Sequence, residues 1–470
     1  MRASLAAAAI AVAFVTTSID ARAAGLYFSD RGVRPMGRAG AFVAGADDLN
    51  AIWYNPAGLA QGESSILVDF AQLRFSSSYT RRLKIVDADN TVREVDSPNV
   101  EGTSPILPIP TIAGAYAFGP KKEWTVATGV FGPYPALATY PETAGGKPSP
   151  ARYALGSFDG SALAFTGLWL AWHPVPELRV GVGAEAIVGV FQSEVVFSAS
   201  PQDRLIGAPE QPEFDAKSRL RVGPIFAPSA NAGVIYEPDR HVRVGLSYQL
   251  PFLIDAPAKL DVRLPNDVAF DSASVHGRDA QVRFELPAVL RLGVEVRPVP
   301  VLRVEAAYVR EFWTTHHAIE AVPNGITIDG VTGLPRSVPI PPITYPRSFD
   351  NSNSYRLGAE YTFEIGGYTI DLRGGVAYET SAVPRAYVSL QSLDFDKLTT
   401  TIGGSLHFGK HWRVDAVYAH VFARSETVSP DEAAIPRVNP LKGNAPFEGV
   451  NGGTYSANAD LLGVGVNYVF

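Results

Sequence analysis

The chain closes on Leu461-Leu462-Gly463-Val464-Gly465-Val466-Asn467-Tyr468-Val469-Phe470. Leu462, Val464, Val466, Tyr468 and Phe470 share one face, while Gly463, Gly465 and Asn467 fall on the other. Period two marks a β-strand, because successive side chains point to opposite sides. The theme returns upstream. Leu178, Val180, Val182, Ala184, Ala186, Val188 and Val190 oppose Arg179, Gly181, Gly183, Glu185, Ile187 and Gly189. Leu290, Leu292, Val294 and Val296 alternate with Arg291, Gly293, Glu295 and Arg297. Tyr368, Ile370 and Leu372 alternate with Asp371 and Arg373. Charges sit on the glycine face, often in both signs.

About 14 such segments follow one another. They run near 64–79, 105–118, 122–131, 155–173, 177–198, 215–236, 240–263, 279–297, 300–319, 348–364, 367–382, 394–408, 410–427 and 454–470. Short connections such as Gly119-Pro120-Lys121, Pro238-Asp239 and Gly409-Lys410 alternate with long polar loops near 80–104, 132–154, 199–214, 264–278, 320–347, 383–393 and 428–453. Alternation alone fits a soluble sandwich as well as a barrel, since both bury one face. Strand length, connections and tail together choose the barrel. Many segments exceed the usual 5–6 residues and reach the roughly 9–11 that a tilted membrane-crossing strand needs. Short turns at one end and long loops at the other characterise an outer-membrane barrel. A terminal aromatic after a period-two strand resembles the recognition signal of bacterial outer-membrane proteins. The expectation is an all-β fold over 63–470, a transmembrane β-barrel of about 14 antiparallel strands with both ends periplasmic.

Composition narrows the alternatives. No apolar run after the first residues reaches the roughly 20 positions of a membrane-spanning helix. The 470 residues include no cysteine, and the formal net charge is −7. Disulfides and thiolate metal sites are thereby excluded, and there is no basic field for nucleic acid. Arg2, the apolar run Leu5 to Val15 and then Ala21-Arg22-Ala23 have the layout of a cleaved signal peptide over 1–23, with Ala24-Gly25 a close alternative site. The mature chain is expected in the bacterial outer membrane. Residues 24–62 do not alternate. Their stretches Ala41-Phe42-Val43 and Ile52-Trp53-Tyr54 are too apolar to stay solvated. They are expected to form a small N-terminal helical hatch plugging the lumen.

The hatch region resembles a known family. Met36-Gly37-Arg38-Ala39-Gly40-Ala41, Ala46-Asp47-Asp48 and Ile52-Trp53-Tyr54-Asn55-Pro56-Ala57-Gly58 look like the hatch of the FadL/TodX outer-membrane transporters. Asp371 to Pro384 and the terminal strand are similar to late parts of the same family. The resemblance implies passive, ligand-gated transport of long-chain fatty acids or aromatic hydrocarbons, with Asn55, Pro56, Ala57 and Gly58 at the hatch and gate. It also implies lateral exit through a kinked third strand. Gly132-Pro133-Tyr134-Pro135 is the candidate kink, because proline cannot donate to a ladder. Phe131, Leu137 and Tyr140 are candidates for the substrate path. Ile106-Leu107-Pro108-Ile109-Pro110 and Val338 to Tyr345 are apolar loop patches suited to a first catch. A fatty-acid carrier should hold the carboxylate after its fifth and ninth strands. Phe191-Gln192-Ser193-Glu194 and Trp313 to Glu320 offer no Lys or Arg there, and Glu194 and Glu320 would repel an anion, which leans toward a neutral hydrocarbon. A general porin is the alternative function. The eight histidines lie in no Gly-x-Ser-x-Gly or His-Glu-x-x-His setting, so neither catalysis nor a metal or other cofactor is expected. The expected partners are a hydrophobic small molecule, outer-membrane lipid and lipopolysaccharide, with the chain a monomer.

Overall fold

The period-two segments become the wall of one closed antiparallel barrel in the computed structural model, which describes residues 27–28, 30–104, 108–132, 134–135, 138–201, 210–442 and 448–470. The expected signal peptide lies outside the described residues. Fourteen strands make the wall. They are β1 (Ser65–Val86), β2 (Pro108–Phe118), β3 (Trp124–Phe131), β4 (Ala162–Val175), β5 (Leu178–Ser198) and β6 (Asp215–Asp239). Next come β7 (Val242–Gln249 and Phe252–Arg263), β8 (Asp279–Leu286 and Val289–Val299) and β9 (Leu302–Glu311 and Ala318–Pro323). The last are β10 (Ser352–Ile365), β11 (Tyr368–Glu379), β12 (Lys397–Phe408), β13 (Trp412–Ala423) and β14 (Gly453–Val469). The tail closes the cylinder. β14 pairs with β1 from Val469↔Ser65 to Gly453↔Arg81, and Phe470 N–H donates to Ser64 O at 3.0 Å. Closure gives every wall strand a neighbour on both sides, as a sheet spanning lipid requires.

The two faces separate as the alternation requires. Val182, Leu168, Leu462 and Val464 are 56–64% exposed on the outside, whereas Asp69, Glu185 and Arg373 are buried inside. Aromatics gather at the short-turn end, where Trp124 stacks on Trp172 at 5.2 Å and Trp412 packs at a tilt against Tyr468 at 4.5 Å. Such girdles sit at the headgroup level of a bilayer.

Several strands depart from the expected segments. β1 runs on to Val86, well beyond 79, as a hairpin with Val92–Asp96. The segments 240–263, 279–297 and 300–319 are each broken, at Leu250-Pro251, at Pro287-Ala288 and by a 3-10 turn at Trp313–Thr315. Proline removes a ladder donor at two of these breaks. Inside the wall lie α1 (Val33–Met36), α2 (Ala51–Tyr54) and a 3-10 turn at Pro56–Leu59.

Candidate functional site

The lumen is filled from the short-turn end by the chain around α1 and α2. Charge fastens it to one side of the wall. Arg38 Nη2 lies 3.0 Å from Glu305 and 3.2 Å from Glu295. Arg34 pairs with Asp47, with Asp48 at 3.2 Å and with Glu360 at 3.2 Å. Arg303 reaches Asp47 at 2.6 Å, and Arg413 reaches Asp48 at 2.7 Å. The Glu305 carboxylate accepts the N–H groups of Val43, Ala44 and Gly45 at 2.6 to 3.0 Å. Burial pushes Asp47 up, but Arg303 and Arg34 more than reverse this and hold it well below the usual carboxylate range.

The other side of the hatch is joined by close backbone approach. Asn55 donates to Val43 O at 3.0 Å and to Val234 O of β6 at 3.1 Å, and its Oδ1 accepts from Ala57 N–H. Gly233 must lack a side chain, since a Cβ there would stand 2.0 Å from Asn55 Oδ1. Gly181 makes the same room for Pro56. Asn55, Pro56, Ala57 and Gly58 are thus the seat of the hatch on β5 and β6. Trp53 packs edge-on to Phe131 at 5.5 Å and to Phe165 at 5.2 Å.

Above the hatch lies a cavity of about 440 Å³. Its wall is mainly hydrocarbon, including Phe75, Phe165, Phe191, Phe197, Phe284 and Phe395. One unpaired cation stands in it. Arg347, 2% exposed, donates from Nη2 to Gln391 Oε1 at 3.0 Å, and its Nε has no partner. Among the described residues no carboxylate pairs with it. Burial, partly offset by Tyr345, pushes its guanidinium down to about 10. The buried Tyr345 hydroxyl beside it is also without a partner. By contrast, Lys397 on the same wall is neutralised by Glu379 at 2.7 Å and Asp394 at 3.0 Å. The long loops close over the lumen around Glu210, which meets Arg81, Arg152 and Arg437 at 2.7 to 2.8 Å. Burial raises Glu210, but the three arginines bring it down to about 2.

Among the described residues the ladder of β3 stops beside the cavity. β3 pairs with β4 as far as Phe131↔Phe165, and the chain next bridges at Thr139, to Thr103 and Ser157. Among the described residues no barrel ladder pair lies between, apart from Gly132 N–H to Pro110 O at 3.0 Å. Tyr134–Pro135 instead pairs with Tyr27–Phe28. Gly132, Ile109, Pro110 and Leu163 line the cavity at this gap.

The sequence-predicted residues divide accordingly. Phe131 is buried, stacked on Phe165 at 5.4 Å. Tyr140 does not line the cavity; its hydroxyl bonds Ser77 at 2.8 Å. Pro133, Leu137, Ile106 and Leu107 lie outside the described residues. Ile343 and Tyr345 of the second loop patch line the cavity. Glu194 carries no weight against an anion, because it bonds Lys217 and Arg219, not the cavity. Glu320 is likewise exposed and off the cavity wall. Arg347 is absent from the sequence-based candidates, because it sits in the segment before β10 and not after the fifth or ninth strand.

Comparison with known proteins agrees with this architecture. The family profile described as "Outer membrane protein transport protein (OMPP1/FadL/TodX)" matches residues 12–470. A putative outer membrane protein of Neisseria meningitidis serogroup B is 22% identical over 98% of this chain and 97% of its own length. Outer membrane protein P1 of Haemophilus influenzae is 24% identical over 51% of this chain and 46% of its own. A Pseudomonas aeruginosa FadL homologue superposes with a TM-score of 0.68 at 14% identity, over 95% of this chain and 99% of that one. The Ralstonia pickettii toluene transporter TbuX gives 0.58 at 17% identity, over 93% and 98%. With its barrel, its seated hatch and this match over nearly the whole sequence, the chain belongs to the OMPP1/FadL/TodX family of outer membrane transport proteins.

Proposed function

We propose that the chain, exported by a signal peptide removed after Ala23, moves a hydrophobic molecule bearing one acidic group from the cell exterior into the outer membrane. The carrying observation is a single apolar cavity that holds a buried, carboxylate-free arginine and also reaches an interrupted stretch of wall at Gly132. A cavity of about 440 Å³ lies within the range of roughly 300–1,000 Å³ typical of small-molecule sites. Aromatic walls remove the apolar body from water. Arg347 and the Tyr345 hydroxyl supply donors for a carboxylate, and charge-assisted bonds of this kind are the strong ones. That reading revises the lean toward a neutral hydrocarbon.

Exit is sideways. The hatch fills the lumen below the cavity, while among the described residues the ladder stops after Gly132 beside the cavity and resumes at Thr139. Asn55 to Gly58 act as the seat that keeps the periplasmic end shut. One chain encloses the whole path, so a monomer suffices.

Uptake of radiolabelled oleate and toluene by cells lacking their own transporter tests this, with a G132A/P133A variant alongside. Saturable oleate uptake, reduced in the variant, is expected. Toluene uptake without oleate uptake would return the substrate to a neutral hydrocarbon. Entry of small sugars with neither ligand would make the chain a general porin and sink the proposal.

A further inference from the structure

The wall has a second interruption, on the far side of β4 and β5 from Gly132. β6 and β7 pair from Asp239↔Val242 to Asn231↔Gln249, and again from Val222↔Ala258 to Lys217↔Arg263. Between these stretches, all of it described, no ladder pair joins the two strands. Only Leu250 N–H to Ala230 O and the Ser229 hydroxyl to Leu250 O, both 2.8 Å, tie the lower end.

The cause is a difference of phase. In β6, Asn231, Ala227 and Ile225 are buried, and the pattern shifts at Gly223-Pro224 to bury Val222 and Ser218. In β7 the shift comes earlier on the climb, at Leu250-Pro251. Ser247 and Gln249 are buried below it, and Phe252, Ile254 and Ala256 above. Carrying the lower register upward would set buried Ala227 against exposed Leu253, and exposed Phe226 against buried Ile254. Side chains half a period out of step cannot share a ladder. Pro224, Pro228, Pro251 and Pro257 also remove donors along both strands.

The seam is placed where a hydrophobic molecule could use it. The register Phe131↔Phe165, Phe165↔Ile187 and Ile187↔Ala227 runs round the wall, so the seam lies three strands along the ladder from the Phe131 end of β3. The cavity touches both of its edges, through Val222 and Ile225 on one strand and Ile254 on the other. On the outside Phe226 is 72% and Leu253 58% exposed. In the upper part of the seam the outward residue is Asp255, bonded to Arg283 at 3.2 Å, and Lys259 and Arg221 follow above it, so the apolar part of the seam, at Phe226 and Leu253, lies at the top of the apolar belt. Around Phe226 and Leu253 the cavity and the outer leaflet are separated by apolar side chains, with no ladder pair between the two strands.

We propose that the β6–β7 seam is a second lateral portal, through which the apolar body of a molecule held in the cavity passes into outer-leaflet hydrocarbon. The proposal rests on the transport reading above but is independent of the gap at Gly132.

The absence of native cysteine makes a clean test. In full-length protein, F226C/L253C spans the seam, and Y236C/V244C spans the intact lower ladder, where those two are register partners. Cross-linking the seam pair with a short bismaleimide should roughly halve oleate uptake in cells and abolish it in the G132A/P133A background, while cross-linking the control pair changes neither. Nitroxides at the seam pair in lipid nanodiscs should give a broad distance distribution that widens with oleate, against a narrow, unresponsive control. Uptake unchanged by the seam cross-link in both backgrounds overturns the portal, as does a seam distribution as narrow as the control. Absence of oleate uptake from every untreated protein fails the transport reading instead.

Discussion

A guanidinium buried against hydrocarbon needs acceptors for five donors, and Arg347 has one side-chain acceptor, Gln391. Arg34, Arg38, Arg81, Arg152, Arg303, Arg413 and Arg437 each pair with at least one carboxylate. The lack of a carboxylate partner for Arg347 among the described residues is what the proposed function uses to match it with an acidic cargo. Losing a charge-assisted hydrogen bond costs about 1.5–3 kcal/mol, so R347A should raise the half-saturation concentration for oleate uptake roughly ten- to a hundredfold. Toluene uptake, where present, should not change. R347K should recover part of the loss, because lysine brings the charge without the planar fork. Equal loss for both ligands would show Arg347 to be structural. Nothing in the sequence marks this residue. It belongs to no motif and lies outside the alternating segments. Its meaning comes from the loop that folds it back over the lumen. Glu194 misled for the converse reason, since a residue's side of the wall cannot be read where a strand carries a bulge, as β5 does between Gly189 and Phe191.

At the scale of elements, the hatch has unequal sides. Buried ion pairs hold it to β8, β9, β10 and β13, whereas backbone approach and asparagine bonds seat it on β5 and β6. The pH dependence follows from Asp47, whose pKa is depressed on folding. Such a group stabilises the folded state above its unfolded pKa, and that contribution fades only as pH falls through the lowered folded value. The hatch should stay docked from pH 7 down to about pH 4.5. Hydrogen exchange at residues 46–48, corrected for intrinsic rates, should therefore be flat over that window. D47N should accelerate it at neutral pH, because Arg34 and Arg303 lose a buried counter-charge. Wild-type exchange rising to the D47N rate by pH 5 would refute this. The strands themselves were legible, since a period of two and the alternation of short and long connections report a barrel directly. The phase shifts were not. Gly223-Pro224 and Leu250-Pro251 sit inside stretches that alternate cleanly on either side, so each reads as one continuous strand.

For the whole molecule, the decisive property is which face of the cylinder meets lipid. A soluble sandwich built from the same strands would turn Leu462, Val464 and Val466 inward; in the barrel these residues are exposed and Ala459 and Leu461 are buried. The outer face is apolar from Ile66 to Phe70 on β1 and turns polar from Arg74 upward. This belt gives a positional prediction that no soluble fold shares. An arginine on the lipid face of a barrel costs roughly 2–4 kcal/mol at the midplane and about 0–1 near the interfaces. V464R should therefore lower the urea midpoint of the barrel refolded in lipid vesicles. S76R, on the same outer surface above the belt, should leave it nearly unchanged. In detergent micelles, which adapt around a charge more readily than a bilayer does, the gap between the two variants should shrink. Equal sensitivity at both positions in vesicles would mean that the exposed leucines and valines do not face hydrocarbon, and a barrel standing in the membrane could not be sustained.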